Sequence, residues 1–295
     1  MAHGDSIVEA LEAHLRALTV EIGPRTVHDG SLAAAARYIR AAFEDAGLEV
    51  AEQAYGYRGG EVANLIAAPP GRGAEPAYYV VGAHYDTVRG SPGADDNASA
   101  VAVMLELARR LPAAAPPLRL VAFTLEEAPA YMTRNQGSRA YLRALKERGE
   151  GVLGAAVLEM VGYTAPRQHY PTVLKWAGYP REGNYIGIVG NRRSRRLTRA
   201  LLAGFQGNPR LPVETLTVPF NGWVLPATRL SDHASFWDYD FPAVMITDTA
   251  FFRNPHYHTP GDTMETLDFG FMAELVRSLV LALGQLADAL RVSKG

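Results

Sequence analysis

The pattern of apolar and polar residues divides the chain into helices at both ends and an alternation of strands and helices between them. Residues 7–18 and 32–47 each place apolar side chains at helical spacing, which predicts two amphipathic helices. Short unbroken apolar runs such as residues 78–83 are typical of buried strands. The predicted helices cover residues 7–18, 32–47, 97–111, 137–146, 191–205 and 269–290, and the predicted strands cover residues 48–57, 61–68, 78–83, 118–125, 154–158, 186–189, 216–218 and 241–247.

This alternation predicts an α/β fold. We expect a mostly parallel, mixed sheet covered by helices on both faces, in three layers, within a single domain spanning residues 1–295. Residues 163–185 interrupt the alternation with prolines, glycines and aromatic residues. Because long irregular loops commonly form pocket walls or lids, we expect a lid or pocket loop there, with an aromatic flap packed on the core as the alternative.

Composition is that of a globular protein with a sizeable core, since 48% of the residues are hydrophobic and 20% are charged. The net charge of -2 favours neither nucleic acid nor an anionic membrane as a partner. The chain has no cysteine, so any metal must be held by His, Asp and Glu. That restriction favours a catalytic metal over a structural one.

The chain ends also bear on location. Asp5, Glu9 and Glu12 interrupt the first apolar pattern, where a secretory signal needs a basic start and a continuous apolar stretch, so we expect a cytoplasmic protein. Arg277 and Asp288 interrupt the last apolar run, which argues against the roughly 20 apolar residues of a membrane span. The oligomeric state is left open.

Chemically active side chains follow the ends of three predicted strands. His84 ends one strand and is followed by Asp86, a second strand leads to Glu126 and Glu127, and a third delivers Glu159. Open α/β sheets bind their ligands at the carboxyl ends of the strands, so we expect these side chains to meet. A surface pair that only caps a strand is the alternative for His84 and Asp86.

Two further stretches supply candidates. Asp95 opens a predicted helix, and His258 lies in a polar loop near the end of the chain. Nitrogen and oxygen donors of this kind suit zinc, with Mn²⁺ or Co²⁺ also compatible. Two metals that share a bridging carboxylate are plausible for such a set, and a glutamate that binds no metal could then accept a proton from water.

These residues together resemble the M28 metallopeptidases, a family of co-catalytic zinc aminopeptidases. The resemblance covers residues 32–290 and rests on five motifs in order: His84-Tyr-Asp86, Gly93-Ala-Asp95-Asp96-Asn97, Glu126-Glu127, Leu158-Glu159 and Tyr257-His258-Thr259. It implies the zinc-aminopeptidase fold, two Zn²⁺ ions and a peptide substrate.

The resemblance also implies a role for each residue. Asp95 would bridge the two metals, His84 and Glu159 would complete one site, and Glu127 with His258 would complete the other. Glu126 would be the general base, Asp86 would orient His84, and Tyr257 is a candidate donor to the oxyanion, with a buried core tyrosine as the alternative. A cis Asp95–Asp96 peptide is implied as well. Glu159 departs from the aspartate that many members carry, and its longer side chain could bind a metal through one or both oxygens.

Several residues remain as alternatives. His233 could replace His258 as a ligand, Asp232 and Asp248 could support the ligands, and His256 is expected to point away.

The function that follows is a zinc-dependent exopeptidase, an aminopeptidase in which Glu126 activates the metal-bound water. A glutaminyl-cyclase-like acyltransferase with one zinc is the alternative within this fold, and a non-catalytic peptide-binding domain is the alternative from another class. The pattern does not specify the preferred side chain, or decide between amino-, di- and carboxypeptidase activity.

Overall fold

The computed structural model describes residues 5–72, 75–112, 115–171, 174 and 178–292, with the side chains of 288–292 left aside. The helices of the described chain are α1 (Ser6–Arg16), α2 (Ser31–Asp45), α3 (Ala100–Arg109), α4 (Gly137–Arg148), α5 (Arg195–Phe205), α6 (His233–Asp238) and α7 (Phe269–Val292). The strands are β1 (Glu49–Tyr57), β2 (Gly60–Ala68), β3 (Ala77–His84), β4 (Leu118–Phe123), β5 (Gly151–Glu159), β6 (Ile186–Asn191), β7 (Val213–Val218) and β8 (Ala243–Thr247).

All of these strands join one mixed sheet in the order β1-β2-β4-β3-β5-β8-β6-β7. The central strands β4, β3, β5 and β8 run parallel, and antiparallel pairs join β1 to β2, β2 to β4 and β6 to β8. Parallel strands must be connected by crossovers, and helices supply most of them here. The carboxyl ends of β3, β4 and β5 therefore meet at one edge of the sheet.

Helices cover both faces of the sheet. On one side the helices are α1, α2, α3, α5 and α7, and the apolar core between them and the sheet includes Leu11, Leu105 and Leu279. On the other side the helices are α4 and α6, and the apolar core there includes Phe123, Tyr141 and Trp237. The predicted three-layer α/β architecture is confirmed, whereas the single-domain organisation stays a prediction.

The helix predicted over residues 97–111 begins differently from the expectation. Regular helix starts only at Ala100, and the preceding segment Ala94–Ser99 is an irregular turn in which Asp96 and Asn97 have non-helical dihedral angles. The pattern of apolar residues did not reveal this break, because the segment is buried throughout. The irregular turn shapes the site described below.

Helix α7 is the most apolar long helix considered for a membrane span. Within the described chain, Phe269–Ala287 is long and apolar enough to cross a membrane by length and composition alone, with a mean hydropathy of 1.4, so composition does not support the expectation that no such segment exists. A buried core helix passes the same test, and α7 packs against α1, α3 and α5.

Candidate metal centre

His84 ends β3 with its ring fully enclosed. Its Nδ1 lies 3.2 Å from the backbone oxygen of Asp86 and 3.5 Å from that residue's Oδ1, so Nδ1–H can donate to these oxygens and Nε2 is the nitrogen that faces the neighbouring carboxylates. Nε2 is buried and has no hydrogen-bond partner among the described residues. It lies 3.4 Å from Oδ1 of Asp96 and 3.5 Å from Oε2 of Glu159. These three side chains form the first cluster of donor atoms.

Asp86 joins the ends of two strands. Besides contacting His84, its carboxylate accepts hydrogen bonds of 3.0 Å from the backbone N–H groups of Glu126 and Glu127. It lies beside the His84 ring, and its orienting role stays a prediction; its hydrogen bonds to the backbone of Glu126 and Glu127 are not apparent from the sequence.

A second cluster combines Asp96, Glu127 and His258. Nε2 of His258 lies 3.0 Å from Oδ2 of Asp96 and 3.1 Å from Oε1 of Glu127. Both carboxylates raise the pKa of His258 to about 10 against the opposing effect of burial. Because Asp96 presents one oxygen to each cluster, it is the residue that the two clusters share.

The expectation that Asp95 holds this shared position is therefore wrong by one residue. The carboxylate of Asp95 instead accepts hydrogen bonds from the backbone of Gly162 at 2.9 Å and from Nδ2 of Asn254 at 2.7 Å. The cis peptide is likewise Asp96–Asn97 and not Asp95–Asp96. Adjacent aspartates look alike in sequence, and only the irregular backbone of this turn decides which of them faces the clusters.

Asp262 and Asn97 hold the irregular turn in place. Asp262 accepts hydrogen bonds from the backbone N–H groups of Asp95 and Asp96, at 2.8 and 3.1 Å. The side chain of Asn97 donates to the Leu158 carbonyl and accepts from the Met160 N–H, which ties the turn to both sides of Glu159. Neither residue was predicted to serve the site, and no local pattern marks these long-range contacts.

Arg25 holds the segment that leads from β3 into the irregular turn. It is fully buried, and its guanidinium donates to the carbonyls of Tyr85, Pro92 and Gly93 at 2.7–2.8 Å. All of these acceptors are neutral carbonyls, and no carboxylate among the described residues forms a direct ion pair with the guanidinium. Burial lowers the pKa of Arg25 to about 10 and the charges of Asp262 and Asp96 oppose that shift, so it is cationic at neutral pH.

Glu126 belongs to neither cluster although it lies beside both. It is 7% exposed, and burial raises its pKa well above the ordinary value, with the positive charge of His84 opposing the shift and the negative charge of Glu127 adding to it. A carboxyl group with a raised pKa and no place in either donor cluster is suited to exchanging protons.

Glu159 belongs to the first cluster, at a position where the resemblance leads one to expect the shorter aspartate. Its Oε2 accepts a hydrogen bond of 2.7 Å from Oγ of Ser231, a partner that the sequence did not single out.

The backbone is strained near the carboxylates and the second histidine, because Leu125, Met160 and His258 all have φ between 45° and 58°.

The remaining candidates have other partners. His233 donates from Nε2 to the Thr228 carbonyl and packs edge-on against Trp237, and burial lowers its pKa to about 4, so it does not replace His258. His256 lies outside both clusters, as expected. Tyr257 stacks on the His258 ring with centroids 3.7 Å apart, and burial raises the pKa of its hydroxyl.

Asp232 and Asp248 are fully buried acids that belong to neither cluster. Asp248 accepts hydrogen bonds from the backbone of Tyr163 and Ala250. Asp232 accepts one from Gln136, while its Oδ2 has no partner among the described residues. Burial raises the pKa of both.

The two clusters fit divalent metal ions. They combine imidazole and carboxylate donors whose atoms lie within 4.8 Å of one another, and the buried Nε2 of His84 lacks a partner that a metal would supply. Several buried carboxylates at one point would otherwise repel one another, which a divalent cation relieves.

An apolar pocket opens beside this centre. Glu159 and Tyr257 line it next to the clusters, and its walls come from residues of the expected pocket loop, of β6, β7 and β8, and of the segment 225–230. Tyr170, Tyr179 and Tyr185, from the described part of this loop, line the pocket, and a lid or pocket-loop role for residues 163–185 stays a prediction. Its residues 172–173 and 175–177 lie outside the described part of the chain.

Comparison with known proteins agrees with this architecture. Residues 64–282 match the model of peptidase family M28. The uncharacterized protein YfbL of Escherichia coli is 37% identical over 292 residues, covering 93% of this chain and 87% of that protein. A probable leucine aminopeptidase of Arthroderma otae is 24% identical over 245 residues, and this chain spans 57% of its length.

Solved structures share the fold at low sequence identity. The Legionella pneumophila LapA aminopeptidase has a TM-score of 0.74 at 21% identity, covering 95% of this chain and 72% of that one. The zinc aminopeptidase BSAP of Bacillus subtilis has a TM-score of 0.70 at 16% identity, covering 95% and 94%. A glutaminyl cyclase of Porphyromonas gingivalis has a TM-score of 0.68 at 18% identity, covering 96% and 98%. With most of its length matched by the family model and a sheet that carries the expected clusters at its edge, this chain belongs to peptidase family M28.

Proposed function

We propose that the protein is an aminopeptidase that uses two zinc ions to release the N-terminal residue of a peptide. The observation that carries this proposal is the position of Glu126, a buried acid outside two donor clusters that share Asp96. The relatives named as leucine aminopeptidases support the same activity, although this chain spans little more than half of their length.

Each cluster would hold one ion. His84, Asp96 and Glu159 would bind the first, and Asp96, Glu127 and His258 the second. Such a pair, when bound, acidifies a water molecule and polarises the carbonyl of the substrate. Zinc suits the mixed imidazole and carboxylate donors, and Mn²⁺ or Co²⁺ could take the same positions.

The protein's own residues supply the proton transfers. Glu126 takes a proton from the attacking water and passes it to the amine that leaves. Asp86 keeps the His84 ring in one orientation and holds the backbone of Glu126 and Glu127. The Tyr257 hydroxyl is a candidate donor to the oxyanion, because its ring lies against His258 at the pocket.

The test combines Glu126→Gln with metal analysis. Purified protein loaded with zinc should bind two ions per chain and hydrolyse an aminoacyl amide, and E126Q should keep both ions while losing at least a hundredfold in kcat. Glu61→Gln, at an exposed position on β2, is the matched control. A fully active E126Q variant would refute the assignment of the base.

Glutaminyl cyclisation is the second candidate, because a glutaminyl cyclase shares the fold over nearly the full length of both chains. A ratio of one zinc per chain together with cyclisation of N-terminal glutamine would favour it. The completeness of both clusters favours the peptidase. The cytoplasmic location expected from the sequence stays a prediction.

A further inference from the structure

One row of residues crosses the sheet from the metal centre to the edge strand. Glu159 on β5 pairs with Thr247 on β8, Thr247 pairs with Gly187 on β6, and Gly187 pairs with Glu214 on β7. Residues that pair directly opposite each other project from the same face of a sheet. The row therefore places the side chains of Glu159 and Glu214 on one face, three strand spacings or roughly 14 Å apart.

The apolar pocket lies along this row. All four residues line it, as do Val189 and Met245, which project from the same face. The alternate residues Ile188 and Ile246 point into the core on the opposite face. The pocket is thus a channel that begins beside the metal centre at Glu159 and reaches Glu214 at its far end.

Gly187 keeps the middle of this channel open. Any larger residue there would project from the pocket face, between the strand positions of Thr247 and Glu214. A Cβ atom at this position would meet only Thr247, at 3.5 Å or more, so the backbone itself does not require glycine. The absence of a side chain at this point of the row leaves room for a ligand.

Glu214 carries a charge with no partner in the described part of the chain. Among the described residues, no hydrogen bond or ion pair engages its carboxylate, and the residue is partly buried. The tyrosine hydroxyls nearby already have hydrogen-bond partners. The hydroxyl oxygens of Tyr170 and Tyr185 lie 2.7 Å apart, and the hydroxyl of Tyr179 donates to the Thr215 carbonyl. A partly desolvated carboxylate in an apolar channel favours a cationic ligand.

We propose that this channel binds the side chain of the substrate's first residue, and that Glu214 selects a long side chain ending in a cation, as in lysine or arginine. The proposal rests on the aminopeptidase function given above. The methylene stem of such a side chain lies along apolar walls while its charged head reaches the carboxylate. The rings of Tyr170 and Tyr179 add aromatic faces that attract a cation, whereas the ring of Tyr185 is already covered by the guanidinium of Arg253, 4.7 Å from its centroid.

The test compares lysine with norleucine, which has the same stem without the terminal amine. The measured quantity is the ratio of kcat/KM for lysyl and norleucyl amides with zinc-loaded protein, and arginyl, leucyl and phenylalanyl amides complete the panel. The wild-type ratio should favour lysine, and Glu214→Gln should lower that ratio at least about tenfold, since hydrogen bonds to charged groups contribute this much. Glu61→Gln, at an exposed position on β2 outside the pocket, should leave the ratio unchanged.

A second variant tests the channel itself. Gly187→Val suits a strand and would place two methyl groups in the row, so kcat/KM should fall for lysyl and norleucyl amides relative to alanyl amide. Equal losses for all three substrates would overturn the placement of the side chain in this channel.

The outcomes separate the two proposals. Zinc-dependent hydrolysis of leucyl or phenylalanyl amides without preference for lysine, and with a ratio insensitive to E214Q, would overturn the role of Glu214 while the aminopeptidase function stands. Failure to hydrolyse any aminoacyl amide at saturating zinc would refute the proposed function, and the channel proposal with it.

Discussion

Oδ2 of Asp96 lies 3.0 Å from Nε2 of His258, while Oδ1 of the same carboxylate lies 3.4 Å from Nε2 of His84. One side chain therefore faces both histidines, and its neighbour Asp95 faces neither. Asp95 is instead bonded to Gly162 and Asn254. The two adjacent aspartates therefore have different roles, and substitutions of the two should have different effects.

Asp96→Asn should abolish high-affinity zinc binding at both sites. Removing a group that only orients a ligand typically costs about 10–100-fold in metal affinity, so removing the shared ligand should cost at least as much. Asp95→Asn should keep both ions and instead lower the free energy of unfolding by about 1–3 kcal/mol, because its hydrogen bonds are buried. Zinc titration and urea denaturation of the two variants distinguish these effects, and loss of zinc from D95N alone would restore Asp95 as the bridging residue.

Arg25→Met should destabilise the protein by about 3 kcal/mol or more. The variant leaves buried carbonyls of Tyr85, Pro92 and Gly93 without their donor, and each unsatisfied buried group costs about 1–3 kcal/mol. Because these carbonyls flank Asp86 and lead into the irregular turn, zinc affinity should fall as well.

Urea denaturation and zinc titration measure both effects. Arg37→Met, at an exposed position of α2, is the control and should change stability by less than about 0.5 kcal/mol. An R25M variant as stable as R37M would show that the buried guanidinium does not hold this loop.

Asp232→Asn should flatten the pH dependence of stability in the zinc-free protein. Burial raises the pKa of Asp232 to about 7, against the opposing charge of His84. A group whose pKa is higher in the folded state stabilises the fold fully below its unfolded value, near 3.8 for aspartate, and loses that contribution as pH rises through about 7. The wild type should thus lose stability between about pH 4 and pH 7, and D232N should lose less.

Denaturation curves of the zinc-free proteins at several pH values give the comparison. Burial also raises the pKa of Glu127 and Asp262 to about 7, so part of the pH dependence should remain in the variant. Asp45→Asn, on the exposed face of α2, serves as the control. Parallel stability profiles for D232N and the wild type would contradict the prediction.

Much of the centre could be predicted because its residues follow strands. His84, Glu126, Glu127 and Glu159 each come at or just after the end of an apolar run, and the carboxyl ends of parallel strands share an edge. The choice between His233 and His258 needed the structure, since only the buried hydrogen bond to Thr228 removes His233 from the site. The supporting residues Arg25, Ser231 and Asp262 have no local signal, because their partners are distant in sequence.

Apolar periodicity and motif order are local properties, so they were enough to predict the α/β class, the family and most of the donor atoms. Tertiary structure alone decided that Asp96 and not Asp95 is shared, because the two aspartates differ only in the backbone angles of a buried turn. It also decided that Glu214 stands at the far end of the channel from Glu159. The strand order β5-β8-β6-β7 sets that distance, and strands that are neighbours in a sheet need not be neighbours in the chain.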